Sequence, residues 1–112
     1  MVLGEAPGKR EDDLEKPFQG RAGKFLRACM ERESINPEKV WIDNPVRCRP
    51  PDNRKPTDQE IEACSPYLEE VIRIIQPRVV LAMGSTALWA MTKKVGITAQ
   101  RGSKIWSSKW GC

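Results

Sequence analysis

Apolar and polar positions along the chain fall into short stretches with two different periods. Val2-Leu3 runs straight into Gly4-Glu5-Ala6-Pro7-Gly8, which reads as the end of a strand entering a tight turn. Residues 9–20 are charged and contain Pro17 and Gly20, so a loop is predicted there. From Ala22 to Arg32, Phe25, Leu26, Cys29 and Met30 recur at helical spacing and predict an amphipathic helix with these four on its apolar face. Val40-Trp41-Ile42 predicts a short buried strand. Residues 44–57 carry Pro45, Pro50, Pro51 and Pro56, which remove backbone donors and disfavour helical geometry before each one. No regular structure is predicted there.

Thr57-Asp58-Gln59-Glu60 matches a capping box. Ile61, Cys64, Leu68, Val71, Ile72 and Ile75 then form a helical stripe, interrupted by Pro66. The prediction is a short helix, a kink or break, and a longer helix ending at Pro77. Val79-Val80-Leu81-Ala82-Met83, bounded by Pro77 and Gly84, predicts a central strand buried on both faces. Ser85 or Thr86 can cap a helix from Ala87 to about Val95, with Gly96 ending it, and Ile105-Trp106 suggests a further strand. Alternating strands and helices joined by short loops argue for one α/β domain over 1–112, a parallel sheet flanked by helices in three layers.

Composition narrows the function. With 39% apolar and 30% charged residues, the chain has enough core for a globular fold and is not disordered. No apolar run approaches the roughly 18 residues of a membrane helix, and residues 1–5 lack the start of a secretory signal. A cytoplasmic, prokaryotic or phage-encoded setting with no membrane partner is expected. Net charge is +4, yet residues 71–112 carry seven basic side chains (Arg73, Arg78, Lys93, Lys94, Arg101, Lys104 and Lys109) and no acid. Such asymmetry suits a polyanionic partner, and equally a merely basic surface. There is no histidine, which removes Ser-His-Asp triads, histidine acid/base work and His-containing zinc sites. Cys29, Cys48, Cys64 and Cys112 form no CxxC pair. Cys29, beside Phe25 and Met30, is expected to be a buried structural thiol.

Open parallel sheets bind ligands beyond the carboxyl ends of their strands. Three loops leave such ends here, after Leu3, Ile42 and Met83, and the unusual residues sit on them. Each has a plain reading by itself: GEAPG as a turn, Phe18 as core, Asn44 as a turn cap, Glu11 as a solvated charge. Trp106 and Trp110 could stack on bases, or pack under a further C-terminal segment.

Together the segments GEAPG-x-x-ED (Gly4 to Asp12), PFQGRAGKFL (Pro17 to Leu26), N-x-V-x-C-R-P-P-x-N-R-x-P (Asn44 to Pro56), E-I-x-A-C-x-P-Y-L (Glu60 to Leu68) and P-x-V-V-L-A-M-G (Pro77 to Gly84) resemble the iron–sulfur uracil-DNA glycosylases, the fourth family of that superfamily. The resemblance is collinear over almost the whole chain. It implies hydrolysis of the N-glycosidic bond of uracil in DNA, after the base leaves the stack. It implies that Phe18 stacks on the base, that the Asn44 amide reads uracil O4 and N3–H, and that Gly4, Glu5 and Ala6 line the pocket. Glu11 takes the place that excludes the thymine methyl, Asn53 and Arg54 border the DNA, and Gly84-Ser85 hold a backbone phosphate. Glu5, Glu11 and Asn44 are thereby the candidate catalytic residues.

Ala6 occupies the position where other branches carry a water-activating aspartate, so stabilising the departing uracil anion and the cationic sugar gains weight. The resemblance puts the anion-stabilising donor on a histidine in a C-terminal H-P-x-x-L motif, and the chain is expected to stop short of it. Cys48 and Cys64 correspond to the second pair of [4Fe–4S] ligands, the first pair being a CxxC segment upstream of the first strand. The cluster is therefore expected to be absent or incomplete in this chain. Two functions follow: a uracil-DNA glycosylase whose own activity is in question, or a non-catalytic DNA- or protein-binding module derived from one. Uracil-containing DNA is the expected partner, and an exposed sheet edge invites self-association.

Overall fold

The computed structural model describes residues 1–112. Three parallel strands form its sheet: β1 (Val2–Leu3), β2 (Ile42–Asp43) and β3 (Leu81–Ala82), in the order β2-β1-β3. Val2 pairs with Ile42 and Leu81, and Leu3 with Asp43 and Ala82. Around the sheet run α1 (Lys9–Leu14), α2 (Arg21–Arg32), α3 (Asp58–Ile75), α4 (Ser85–Thr92) and α5 (Ile97–Gln100). Single 3₁₀ turns occupy Pro37–Lys39 and Pro51–Asn53.

The two residues of β1 are the hinge of the packing. Successive strand side chains point to opposite faces. Val2 joins Leu26 and Met30 of α2, while Leu3 joins Leu68 and Ile72 of α3 and Ala87 and Met91 of α4. The predicted three-layer α/β/α arrangement is thus present, with its middle layer two residues deep. Trp110 closes the larger cluster and donates its indole N–H to the Met91 carbonyl at 2.8 Å. It packs as core, whereas Trp106 is exposed.

Several local expectations are corrected. The segment from Val79 to Met83 is an edge, not a centre: only Leu81–Ala82 is strand, and β1 occupies the middle. Val80 and Ala82 face the core while Val79, Leu81 and Met83 are exposed, because helices cover one face of β3 only. Residues 9–20 are not all loop, since Lys9–Leu14 forms α1, closed by Glu15 in a left-handed conformation. α2 buries Gly23, Leu26 and Met30, a stripe narrower than predicted; Phe25 lies about 100° off it and is 72% exposed, and Cys29 is half-buried.

α3 runs unbroken through Pro66. Proline removes one N–H, leaving the carbonyl four residues earlier without a helical partner, but Glu62 and Pro66 are both exposed and water can reach it. Buried Ile61 before the proline, and Leu68 and Ile72 after it, hold the helix as one unit. The capping box at Thr57 is complete. α4 begins at Ser85 with neither Ser85 nor Thr86 as its cap; Gly84 stands there at φ 93°, and left-handed Lys93 ends the helix ahead of Gly96. Ile105 and Trp106 form no strand.

Candidate nucleic-acid site at the strand ends

The carboxyl ends of β1, β2 and β3 lie side by side because the strands are parallel and adjacent. Their loops meet. Gly4 follows β1 and donates its N–H to the Asp43 carbonyl at 2.9 Å. A methyl group at Gly4 would lie 2.7 Å from Asn44 Oδ1 and 2.6 Å from Phe18 Cε2. One backbone position with no side chain therefore touches both the carboxamide and the aromatic ring. This close approach is what requires glycine at position 4.

Asn44 sits at the end of β2 and is 5% exposed. Asp43, equally buried, fixes this turn: its Oδ1 accepts the Asn44 N–H at 2.8 Å and the Arg47 guanidinium at 2.5 Å, and its Oδ2 accepts the Trp41 indole N–H at 3.3 Å. A buried carboxylate is stable only when so partnered. Asn44 and Glu11 form part of the wall of a cavity of about 340 Å³, together with Pro7, Asp12, Lys16 and Arg47. That volume is at the lower end of the roughly 300–1,000 Å³ of small-molecule sites. Gly4, Glu5, Ala6 and Phe18 do not line it. A larger open depression of about 540 Å³ lies elsewhere, at the C-terminal turn of α3 and Trp110, and contains none of the predicted residues.

Phe18 packs on Val2, Leu26 and Met30 yet stays half-exposed. Its backbone has φ 55°, a left-handed conformation unfavourable for a bulky side chain by about 1–2 kcal/mol. Two contacts hold it there. Arg27 donates to the Phe18 carbonyl at 2.6 Å, and the Glu11 carboxylate accepts the Gly20 N–H at 2.7 Å. Burial pushes the Glu11 pKa up, but backbone N–H groups at Gly20, Glu11, Gln19 and Gly8 outweigh it and hold the carboxyl below its ordinary value. Glu11 is thus both cavity wall and clamp for the Phe18 loop.

The proline-rich loop is braced from within. Arg54 makes a two-pronged ion pair with Glu60 at 2.7 and 2.8 Å, and Asn53 accepts from Arg49 at 2.7 Å. The Arg54 guanidinium and the Thr57 N–H lower the Glu60 pKa to about 2. Beyond β3, Gly84 is exposed and Ser85 half-buried at the start of α4. The next residue, Thr86, is 1% exposed and donates its hydroxyl to Glu5 Oε2 at 2.9 Å, tying the first loop to the third. Arg27 and Asp43 escaped the sequence reading, which offered Thr86 only as a helix cap. All three act through side-chain bonds to other loops or to backbone, which leave no periodic trace.

A [4Fe–4S] cluster needs four thiolates. Cys48 is exposed on the proline-rich loop and Cys64 half-buried on α3, and all four cysteines are free. No three Cys, Asp or Glu side chains are placed so that together they could hold a metal ion.

The family model for the Uracil DNA glycosylase superfamily matches residues 1–109. The chain belongs to that superfamily. It is 47% identical over 107 residues to the type-4 uracil-DNA glycosylase of Thermotoga maritima, covering 94% of this chain and 56% of the relative. It is 42% identical to the type-4 enzymes of Pyrobaculum aerophilum, over 90% of this chain and 52% of the relative, and Sulfurisphaera tokodaii, over 97% and 53%. The chain spans about half the length of these curated relatives. No helix is long and apolar enough to cross a membrane.

Proposed function

We propose that residues 1–112 form the base-recognising part of a uracil-DNA glycosylase, which hydrolyses the N-glycosidic bond of uracil in DNA. The reading rests on one observation: the Phe18 ring and the Asn44 carboxamide, 26 positions apart, both close on Gly4 at the shared strand ends. A flipped pyrimidine needs a flat apolar surface and an edge reader that donates and accepts together. Phe18 offers the first and Asn44 the second.

In the reaction the C1′–N1 bond breaks, water supplies the oxygen that replaces N1, and the uracil anion leaves with the bonding pair. Ala6 cannot activate that water, so the contribution of these residues is recognition and electrostatics. Glu5 opposes the positive charge developing on the sugar, Glu11 narrows the cavity against a 5-methyl group, and Gly84-Ser85 with the Asn53 and Arg54 rim follow the DNA backbone. Cys48 and Cys64 are the thiols of this chain that would hold part of a [4Fe–4S] cluster. The outer sides of β2 and β3 are open to pairing with a second molecule. A cytoplasmic setting suits free thiols and a DNA substrate.

The test is release of uracil from a single-stranded oligonucleotide bearing one uracil, beside a thymine control, with binding followed by fluorescence anisotropy. Asn44→Ala should abolish discrimination between the two oligonucleotides. Equal handling of uracil and thymine by the parent, or an unchanged preference in Asn44→Ala, would refute the pocket.

A further inference from the structure

Thr86 stands where a helix cap is expected, in the first turn of α4, yet its hydroxyl bonds instead to a carboxylate 81 residues away. The residue is almost completely enclosed, at 1% exposure, while Glu5 is exposed. The bond is therefore directional. Its donor is fixed by packing around α4, and its acceptor is a side chain with three free torsions on a solvent-facing loop. A buried hydroxyl without a partner is costly, so Thr86 has reason to keep hold of Glu5.

Only Oε2 of Glu5 is engaged; no partner in the protein holds Oε1. A carboxylate anchored by one oxygen presents the other in a defined direction. We propose that Thr86 is a positioning residue: it selects one Glu5 rotamer and so fixes the direction of the free Glu5 oxygen. This rests on the proposed role of Glu5 opposite the charge that develops on the sugar. It adds a determinant from the third loop, and links the α4 turn beside Gly84-Ser85 to the pocket through one hydrogen bond.

The experiment has two arms. Side-chain scalar couplings of Glu5, measured by NMR, should report one rotamer in the parent and in Thr86→Ser, and rotamer averaging in Thr86→Val. Urea midpoints check that each variant is folded. In the second arm, single-turnover uracil release should fall about tenfold in Thr86→Val, the scale of one hydrogen bond to a charged group, while oligonucleotide binding is unchanged and Thr86→Ser recovers the rate. Averaged Glu5 rotamers in the parent, or a fixed rotamer in folded Thr86→Val, would overturn the proposal. The parent measurement decides even if Thr86→Val does not fold, and the couplings decide without turnover. Loss of the uracil preference with the Glu5 rotamer still governed by Thr86 would instead sink the glycosylase reading alone.

Discussion

Replacing Gly4 by alanine tests the site at its tightest point. The new methyl would come within 2.6 Å of Phe18 Cε2 and 2.7 Å of Asn44 Oδ1, well inside ordinary contact distance. Neither neighbour can yield freely. The Phe18 backbone is held by Arg27 and packed against α2, and the Asn44 N–H is bonded to buried Asp43. Overpacking of this kind costs about 1–3 kcal/mol. Against it stands the loss of unfolded-state freedom on replacing glycine, which favours the variant by about 0.4–1 kcal/mol. The clash wins. Gly4→Ala is expected to be less stable by about 1–2 kcal/mol in urea melts, the remainder of those two effects. The ring and carboxamide it displaces should cost more in function. Base–aromatic stacking is worth about 1–3 kcal/mol, so affinity for a uracil oligonucleotide should fall roughly 10- to 100-fold. A variant with parental stability and affinity would show that Phe18 and Asn44 do not share this backbone position, and the pocket would have to be drawn elsewhere.

Two predictions concern charge. Glu60 has its folded pKa lowered from 4.5 to about 2 by Arg54 and the Thr57 N–H, so its contribution to stability is present above 4.5 and disappears as pH falls towards 2. Glu60→Gln should therefore be less stable at neutral pH and show a shallower decline across that window in urea melts; an acid limb identical to the parent's would refute the assignment. Glu11 is likewise held below 4.5, so the Gly20 amide resonance should titrate with a midpoint under that value. Glu11→Gln should abolish the titration, and a Gly20 signal indifferent to pH in the parent would dissolve the clamp.

The sequence exposed what depends on local chemistry. The capping box at Thr57 and the stripe from Ile61 to Ile72 are each written within a few residues, and the structure contains both, whereas Gly4–Gly8 holds a bend at Glu5 and no tight turn. Convergence of the three loops was also legible, because it follows from parallel strand order. The errors share a cause. An apolar run such as Val79 to Met83 states that a segment can be buried, not which of its faces has a neighbour, and β3 has one face covered. Pro66 looked like a break because the penalty is local, whereas the packing of Leu68 and Ile72 that overrides it is tertiary. At the site, the residues proposed to face the base announce themselves by type and spacing. Those that hold them still, such as Asp43, Arg27 and Thr86, are ordinary residues whose importance is entirely a matter of distance in space.

The middle strand also governs the order in which the molecule can assemble. Its partners lie about 40 and 80 residues downstream, so the chain must close two long loops before any sheet exists. Val2 completes the core shared with α2, and Leu3 the core shared with α3 and α4. The loops at the strand ends therefore depend on the same two residues as the two cores. Trimming the first three residues would therefore remove the strand-end site and the fold together.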